Sequence, residues 1–202
     1  LLIPDLVAWW LTGREVAEVT NASTTGLLDP HTRQWNDAFI ERLGLPRGLF
    51  APLVQPGDDL GSLTPEVAAA LGAPDGVRVT AVGSHDTASA VVGVPMVGED
   101  TAYISCGTWG LVGVELAEPV ITAETQAANV TNEGGVDGRV RFLHNVTGLW
   151  LLSESIREWE ADGSRIDLPT LIAEAAAVAG PVPIFPANDP RLSAPGELAT
   201  RI

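Results

Sequence analysis

The sequence predicts an α/β protein of two domains, and three observations predict it. Short runs rich in β-branched residues alternate with stretches in which apolar residues recur at helical spacing. Hydrophobic residues fill 46% of the 202 positions, enough to bury a real core. A break rich in Pro, Gly and acidic residues at 95–100 parts two such alternating halves and reads as a hinge.

The chain opens on an apolar run at residues 1–11, interrupted early by Pro4 and Asp5. No basic region precedes it, and it falls short of the ~20 apolar residues that a bilayer crossing takes. It therefore predicts a buried amphipathic helix that starts near Pro4 and stops at Gly13, a residue suited to the left-handed turn after a helix. Without an initiator Met and opening inside an element, the chain is expected to be an internal piece of a longer protein. Residues 19–65 are mixed. They hold the Ser/Thr-rich run Thr20 to Thr25, a turn at Asp29-Pro30, a helical pattern over 35–43 and a surface loop over 55–59. Residues 77–82 predict a buried strand that Gly83-Ser84 ends, and 85–94 a tightly packed helix. His85 and Asp86 then fall at a strand-to-helix turn, at the helix N-terminus.

Beyond the hinge, 101–105 and 109–115 predict a β-hairpin with Gly107 at its tip. A strand over 139–143, a turn over 144–148 and a helix over 149–159 follow, with Leu149, Leu152, Ile156 and Trp159 on one helix face. Asn145 would sit just before that helix. An Ala-rich helix over 168–178 and a proline-rich surface loop over 181–195 complete the reading.

Composition excludes some functions. The chain carries 11 basic and 26 acidic residues, a formal net charge of -15. Such a surface repels a phosphate backbone, so nucleic acid is not an expected partner, and the short apolar run gives no reason to expect a membrane. One cysteine, Cys106, excludes an internal disulfide and offers no metal-binding spacing; it reads as a small buried residue, and a cytoplasmic location is expected.

The candidate chemistry lies at the turns. Asp86, held ionised by helix N–H groups and the dipole, can take a proton from an alcohol that is already losing it, as phosphoryl transfer requires; it can equally serve to stabilise the helix start. His85 beside it reads as a site residue or as a satisfied structural one. Gly107 lets backbone approach an anion and the Thr108 hydroxyl can bond a phosphate oxygen, although Gly-Thr also suits a hairpin tip. No Walker A pattern is present. Trp109 and Trp150 could stack on a base or sugar, or fill the core. Asn145 suits a sugar hydroxyl or a helix cap.

Four ordered motifs carry a resemblance. They are Gly83-Ser84-His85-Asp86-Thr87-Ala88-Ser89-Ala90, then Ala102-Tyr103-Ile104-Ser105-Cys106-Gly107-Thr108-Trp109, then Ala128-Asn129-Val130-Thr131-Asn132-Glu133-Gly134-Gly135, then Asn145-Val146-Thr147-Gly148-Leu149-Trp150-Leu151-Leu152. Together with Ile3-Pro4-Asp5, Leu11-Thr12-Gly13, Thr20 to Thr25 and Asn188-Asp189-Pro190-Arg191, they resemble the rhamnulokinase branch of the FGGY carbohydrate kinase family over nearly the whole chain.

The resemblance implies an actin-like, ribonuclease-H-like two-domain fold, present here only in part. Residues 1–96 would belong to the first, sugar-binding domain and 97–202 to the second, nucleotide-binding one. It implies ATP with Mg2+ as cofactors, and transfer of the terminal phosphate to the C1 hydroxyl of L-rhamnulose. Asp86 matches the catalytic base, and His85, Thr87 and Asn145 match sugar contacts. Gly107 and Thr108 match the hairpin on the ATP phosphates, and Ser153 stands where many relatives carry a glutamine that touches ATP. Gly110 stands where a serine commonly follows the tryptophan. The amino-terminal phosphate-binding hairpin and the glycine-rich adenosine loop of the family are not among these residues, so the isolated chain is expected to lack kinase activity. A kinase for another ketose or a polyol, or a non-catalytic sugar-binding module, are the alternatives. Oligomeric state is not legible.

Overall fold

Two compact units organise the chain in the computed structural model, which describes residues 2–96, 98 and 101–202. Unit 1 takes Leu1–Tyr103 and Gly113–His144; unit 2 takes Ile104–Val112 and Asn145–Ile202. The hinge expected at 95–100 lies partly outside the described residues, at Val97, Glu99 and Asp100.

Unit 1 begins with helix α1 (Ile3–Thr12), which has Pro4 in its first turn and ends on Gly13 at φ 72°, the left-handed conformation expected there. The helix is not buried, contrary to the sequence reading. Ile3 is 74% exposed and Val7, Trp9 and Trp10 face outward, while its buried residue is Asp5 and Ala8 touches the core. Strand β1 (Ala17–Glu18) runs straight into the short helix α2 (Val19–Ala22) and pairs in parallel with β2 (Leu53–Val54), Glu18 opposite Val54. Between them Asn36 caps α3 (Asp37–Arg42) by accepting from the Phe39 amide, inside the helical stretch expected there.

The loop expected over 55–59 gives way at its end to β3 (Asp59–Ser62). This strand pairs antiparallel with β4 (Arg78–Thr80), Gly61 opposite Val79, and α4 (Pro65–Leu71) connects the two. The buried strand expected at 77–82 is therefore shorter, and only its alternate residues turn inward. Val79 and Ala81 join Val16, Val54 and Leu60 in a core cluster, while Arg78, Thr80 and Val82 point out. Period-two alternation on a two-stranded sheet leaves one face to solvent. Residues 81–85 then lead into α5 (Asp86–Gly93), with Ala88 and Val91 buried beneath it.

Strands β5 (Ala102–Cys106), β6 (Trp109–Leu116), β7 (Val130–Gly134) and β8 (Val140–Thr147) form one sheet in the order β5-β6-β8-β7, with α6 (Ala123–Ala127) between β6 and β7. The division between units falls part-way along β5, β6 and β8. The hairpin expected at Gly107 is present. Strand β7 was not legible in the sequence; it pairs antiparallel with β8 from Val130 opposite His144 to Gly134 opposite Val140. Strand β8, which lies between β7 and β6, runs on through His144 to Thr147, where the sequence predicted a turn. Gly113 lets the sheet close: a Cβ there would lie 2.7 Å from Leu143 Cβ and 2.8 Å from both Phe142 O and Tyr103 Oη.

In unit 2, α7 (Trp150–Ala161) buries Leu151, Glu154 and Ser155. Leu151 packs with Leu192 and Leu198, flanked by Trp150 and Ala187. Of the expected apolar face, Leu149, Leu152 and Trp159 line an open hollow of about 470 Å³ together with Leu151, Phe185 and Ile202. Helix α8 (Leu168–Ala177) starts where predicted, with Asp167 accepting from the Thr170 amide. The proline-rich stretch carries a short 3₁₀ turn at Pro190–Leu192 and precedes α9 (Leu198–Arg201). No helix among the described residues is long and apolar enough to cross a membrane.

Candidate active site

In unit 1 the turn before α5 is held by a carboxylate that the sequence reading passed over. Glu18 is buried, and a buried carboxylate needs donors around it. It caps α2, accepting from the amides of Thr20 at 2.9 Å and Asn21 at 3.2 Å, and from the Thr20 hydroxyl at 2.5 Å. The same carboxylate reaches across the sequence to accept from the Ser84 amide and hydroxyl, each at 2.9 Å. Thr20 Oγ1 in turn accepts from the His85 amide at 3.2 Å. The Ser/Thr-rich run and the Ser84-His85 turn are thus bound together through the side chains of Glu18 and Thr20. Glu18 is itself fixed from behind, its amide donating to Asp5 Oδ1 at 3.0 Å. Burial pushes the Asp5 carboxyl above the ordinary carboxylate range, opposed by that amide, and the Glu18 charge adds to the rise.

The clamp delivers Asp86 to the first turn of α5, exposed to solvent. Its Oδ1 accepts from the Thr87 amide at 2.6 Å and lies 3.3 Å from the Thr87 hydroxyl; Oδ2 takes no hydrogen bond among the described residues. The carboxylate is therefore steered by one oxygen and open at the other, an arrangement that lets it accept a proton from a hydroxyl. His85, half-buried, meets the Arg141 guanidinium, with Nδ1 to Nη2 at 2.9 Å. Burial lowers its proton affinity, the Arg141 charge lowers it further, and the charges of Glu133, Asp86 and Glu18 work the other way. Thr87 is half-buried beside them. His85, Asp86 and Thr87 are thus brought together in unit 1, as consecutive residues at a helix start must be.

Unit 2 holds the remaining candidates. Gly107 and Thr108 form an exposed hairpin tip that the start of α7 supports. The Leu149 amide donates to Gly107 O at 2.9 Å and the Trp150 amide to Thr108 O at 3.2 Å. Gly148 makes this possible, because a Cβ there would meet Gly110 N at 2.6 Å and Gly107 O at 2.7 Å. At Gly110 a Cβ would find ordinary contact, 3.5 Å from Val146 O, so a serine there is sterically admissible. Trp109 is 59% exposed, which removes it from the core, whereas Trp150 is half-buried against the Leu151 cluster.

Two sequence readings need correcting here. Cys106 is exposed, because it ends β5 beside the exposed hairpin tip. Asn145 does not cap α7; it lies on β8, exposed, and its carbonyl accepts from Asn188 Nδ2 at 2.8 Å. The residue at the start of α7 is Leu149, with no side-chain cap. Ser153 is exposed on α7, its hydroxyl donating at 3.0 Å to Leu149 O one turn back.

Comparison with known proteins supplies the family. A model of the FGGY family of carbohydrate kinases, N-terminal domain, matches residues 1–93, and one of the C-terminal domain matches residues 102–202. Rhamnulokinase of Enterococcus faecalis is 42% identical over 206 residues, taking in 100% of this chain and 40% of that protein. Rhamnulokinase of Bacteroides thetaiotaomicron is 45% identical over 175 residues, 87% of this chain and 35% of that one. The chain spans about 40% of the length of the curated relatives that take in the whole of it. Ligand-bound xylulose kinase from Lactobacillus acidophilus matches with a TM-score of 0.70 at 19% identity, over 85% of this chain and 34% of its own. Likeness at that identity speaks for the fold, the actin-like, ribonuclease-H-like fold of the sugar kinases. With one family model on each side of residues 94–101, and the motifs around Asp86 and Thr108 falling inside them, the chain belongs to the FGGY family of carbohydrate kinases.

Proposed function

We propose that the complete enzyme transfers the terminal phosphate of ATP to the C1 hydroxyl of L-rhamnulose, with residues 1–96 in the sugar-binding domain, 97–202 in the nucleotide-binding domain, and a cytoplasmic location. The observation that carries this reading is the Asp86 carboxylate, exposed in the first turn of α5 with Oδ2 unengaged among the described residues.

A loose phosphoryl-transfer transition state leaves the protein mostly positioning to do. Asp86 orients the acceptor hydroxyl and takes its proton as the new P–O bond forms. His85 and Thr87 hold neighbouring sugar oxygens, and Asn145 supplies a further sugar contact. On the nucleotide side Gly107 and Thr108 offer backbone N–H and hydroxyl donors to phosphate oxygens, and Ser153 stands at an ATP contact. ATP would bring Mg2+ with it as its counter-ion, and that ion would supply positive charge to the phosphates. Among the described residues no group of three or more His, Cys, Asp or Glu converges to hold the ion, so no step is assigned to it.

Sugar identity rests on the rhamnulokinase relatives, and a panel of ketoses and polyols tests it. ATP consumption by the complete enzyme is expected to be fastest with L-rhamnulose, and 31P–13C coupling in the product should place the phosphate on C1. Preference for a different sugar would move the substrate assignment. A sugar that raises Tm without any ATP consumption would replace the kinase by a binding module.

A further inference from the structure

Arg141 is fully buried, at 0% exposure; its Nε and Nη2 donors are taken up, whereas Nη1 is buried with no partner among the described residues. Its Nε donates to Gly134 O at 3.2 Å and its Nη2 to Glu133 Oε2 at 2.8 Å. Glu133 stands directly opposite Arg141 in the β7–β8 ladder, so the register of two strands fixes the guanidinium. Nη2 has a second hydrogen, and its other neighbour is His85 Nδ1 at 2.9 Å. Arginine carries donors and no acceptor. His85 Nδ1 must therefore accept, which leaves the ring neutral with its proton on Nε2. Nε2 makes no hydrogen bond among the described residues and is not among the buried unpartnered atoms.

We propose that Arg141 is a positioning residue for phosphoryl transfer: by donating to Nδ1 it locks His85 as the Nε2–H tautomer, so that the ring presents a hydrogen-bond donor to a sugar oxygen beside Asp86. The two neighbouring side chains then have opposite tasks. Asp86 accepts from the hydroxyl that is phosphorylated, and His85 donates to a lone pair on an adjacent carbonyl or hydroxyl oxygen. A sugar lacking an acceptor oxygen at that place leaves the His85 N–H without a partner and is selected against. Lysine cannot do the same work, since one ammonium lacks the fork that serves Glu133, Gly134 and His85 together. The inference rests on the kinase reading for the identity of the ligand; the tautomer itself follows from the geometry of unit 1.

Long-range 1H–15N spectra of the imidazoles in the complete enzyme at neutral pH, with His85→Ala to assign the signal, read the tautomer directly. His85 is expected to show an unprotonated Nδ1 and a protonated Nε2. Arg141→Met should redistribute the proton between the nitrogens. It should also lower kcat/KM for the sugar about tenfold, one hydrogen bond's worth, with KM for ATP unchanged. In a His85→Ala background the same substitution should cost no further sugar kcat/KM. Arg141→Lys, which keeps a charge in the strand pair, tests whether the effect follows the fork when the Met variant folds poorly; it too should disturb the tautomer. A wild-type spectrum with the proton on Nδ1, or on both nitrogens, would overturn the inference. So would an Arg141 effect that persists undiminished without His85. If no sugar is phosphorylated at all while the spectrum is as expected, the kinase reading fails and the tautomer lock stands as a binding device.

Discussion

Asp86→Asn in the complete enzyme is expected to lower kcat by about 10²–10⁴-fold, the contribution of a positioned general base, while the sugar still binds within a few-fold of its wild-type affinity. The split follows from the geometry. Asn is nearly isosteric, and its amide oxygen can still accept from the Thr87 amide that holds Oδ1 at 2.6 Å. The turn keeps its shape because it is clamped from Glu18, not from Asp86. What is lost is the basic oxygen that no other described residue engages. Calorimetric titration of sugar into the variant, beside its turnover of ATP, checks both halves. Loss of sugar binding together with activity would mean that Asp86 is a binding or structural residue.

The second large effect is on stability. Glu18→Ala is expected to destabilise by about 4 kcal/mol, because hydrogen bonds to a charged acceptor are worth about 1.5–3 kcal/mol each and are not additive. Removing the carboxylate leaves the Thr20 amide and the Ser84 amide and hydroxyl with no acceptor in a buried or half-buried setting. A fall of about 10 °C in Tm is the expected readout for a chain of this size. Activity of the complete enzyme should fall as well, since His85 and Asp86 follow Ser84 directly. Glu18→Gln should be intermediate, as one of its two oxygens becomes a donor facing other donors. A Glu18→Ala protein that melts within a degree or two of wild type would show that the clamp contributes little.

Local signals in the sequence reached the elements whose ends are set by their own residues. Gly13 stops α1, Asn36 starts α3 and Asp167 starts α8 through bonds to residues a few positions away, and those elements stand close to where the sequence placed them. Pairings between distant segments were out of reach. His144 has the composition of a turn, yet the ladder to β7 overrides it and keeps it extended. Strands β1 and β2, two residues each, are defined by each other more than by any local preference.

The candidate site divides in the same way. Its consecutive members, His85, Asp86 and Thr87, are visible as a motif at a helix start. The residues that hold them are not. Glu18 receives Ser84 from 66 positions away, and Arg141 reaches His85 across 56. A glutamate just before a Thr-rich helix start was the available signal for the first. For the second, an arginine set between Val140 and Phe142 in a short strand-forming run was the available hint, since its face is opposite to that of both neighbours.

A crystal structure of the complete enzyme with L-rhamnulose bound tests the central claim most directly. The account predicts the C1 oxygen within hydrogen-bond reach of Asp86 Oδ2, about 2.6–3.2 Å, with a second sugar oxygen facing His85 Nε2. A sugar seated away from the Ser84–Thr87 turn, or one whose C1 hydroxyl points from Asp86, would contradict it.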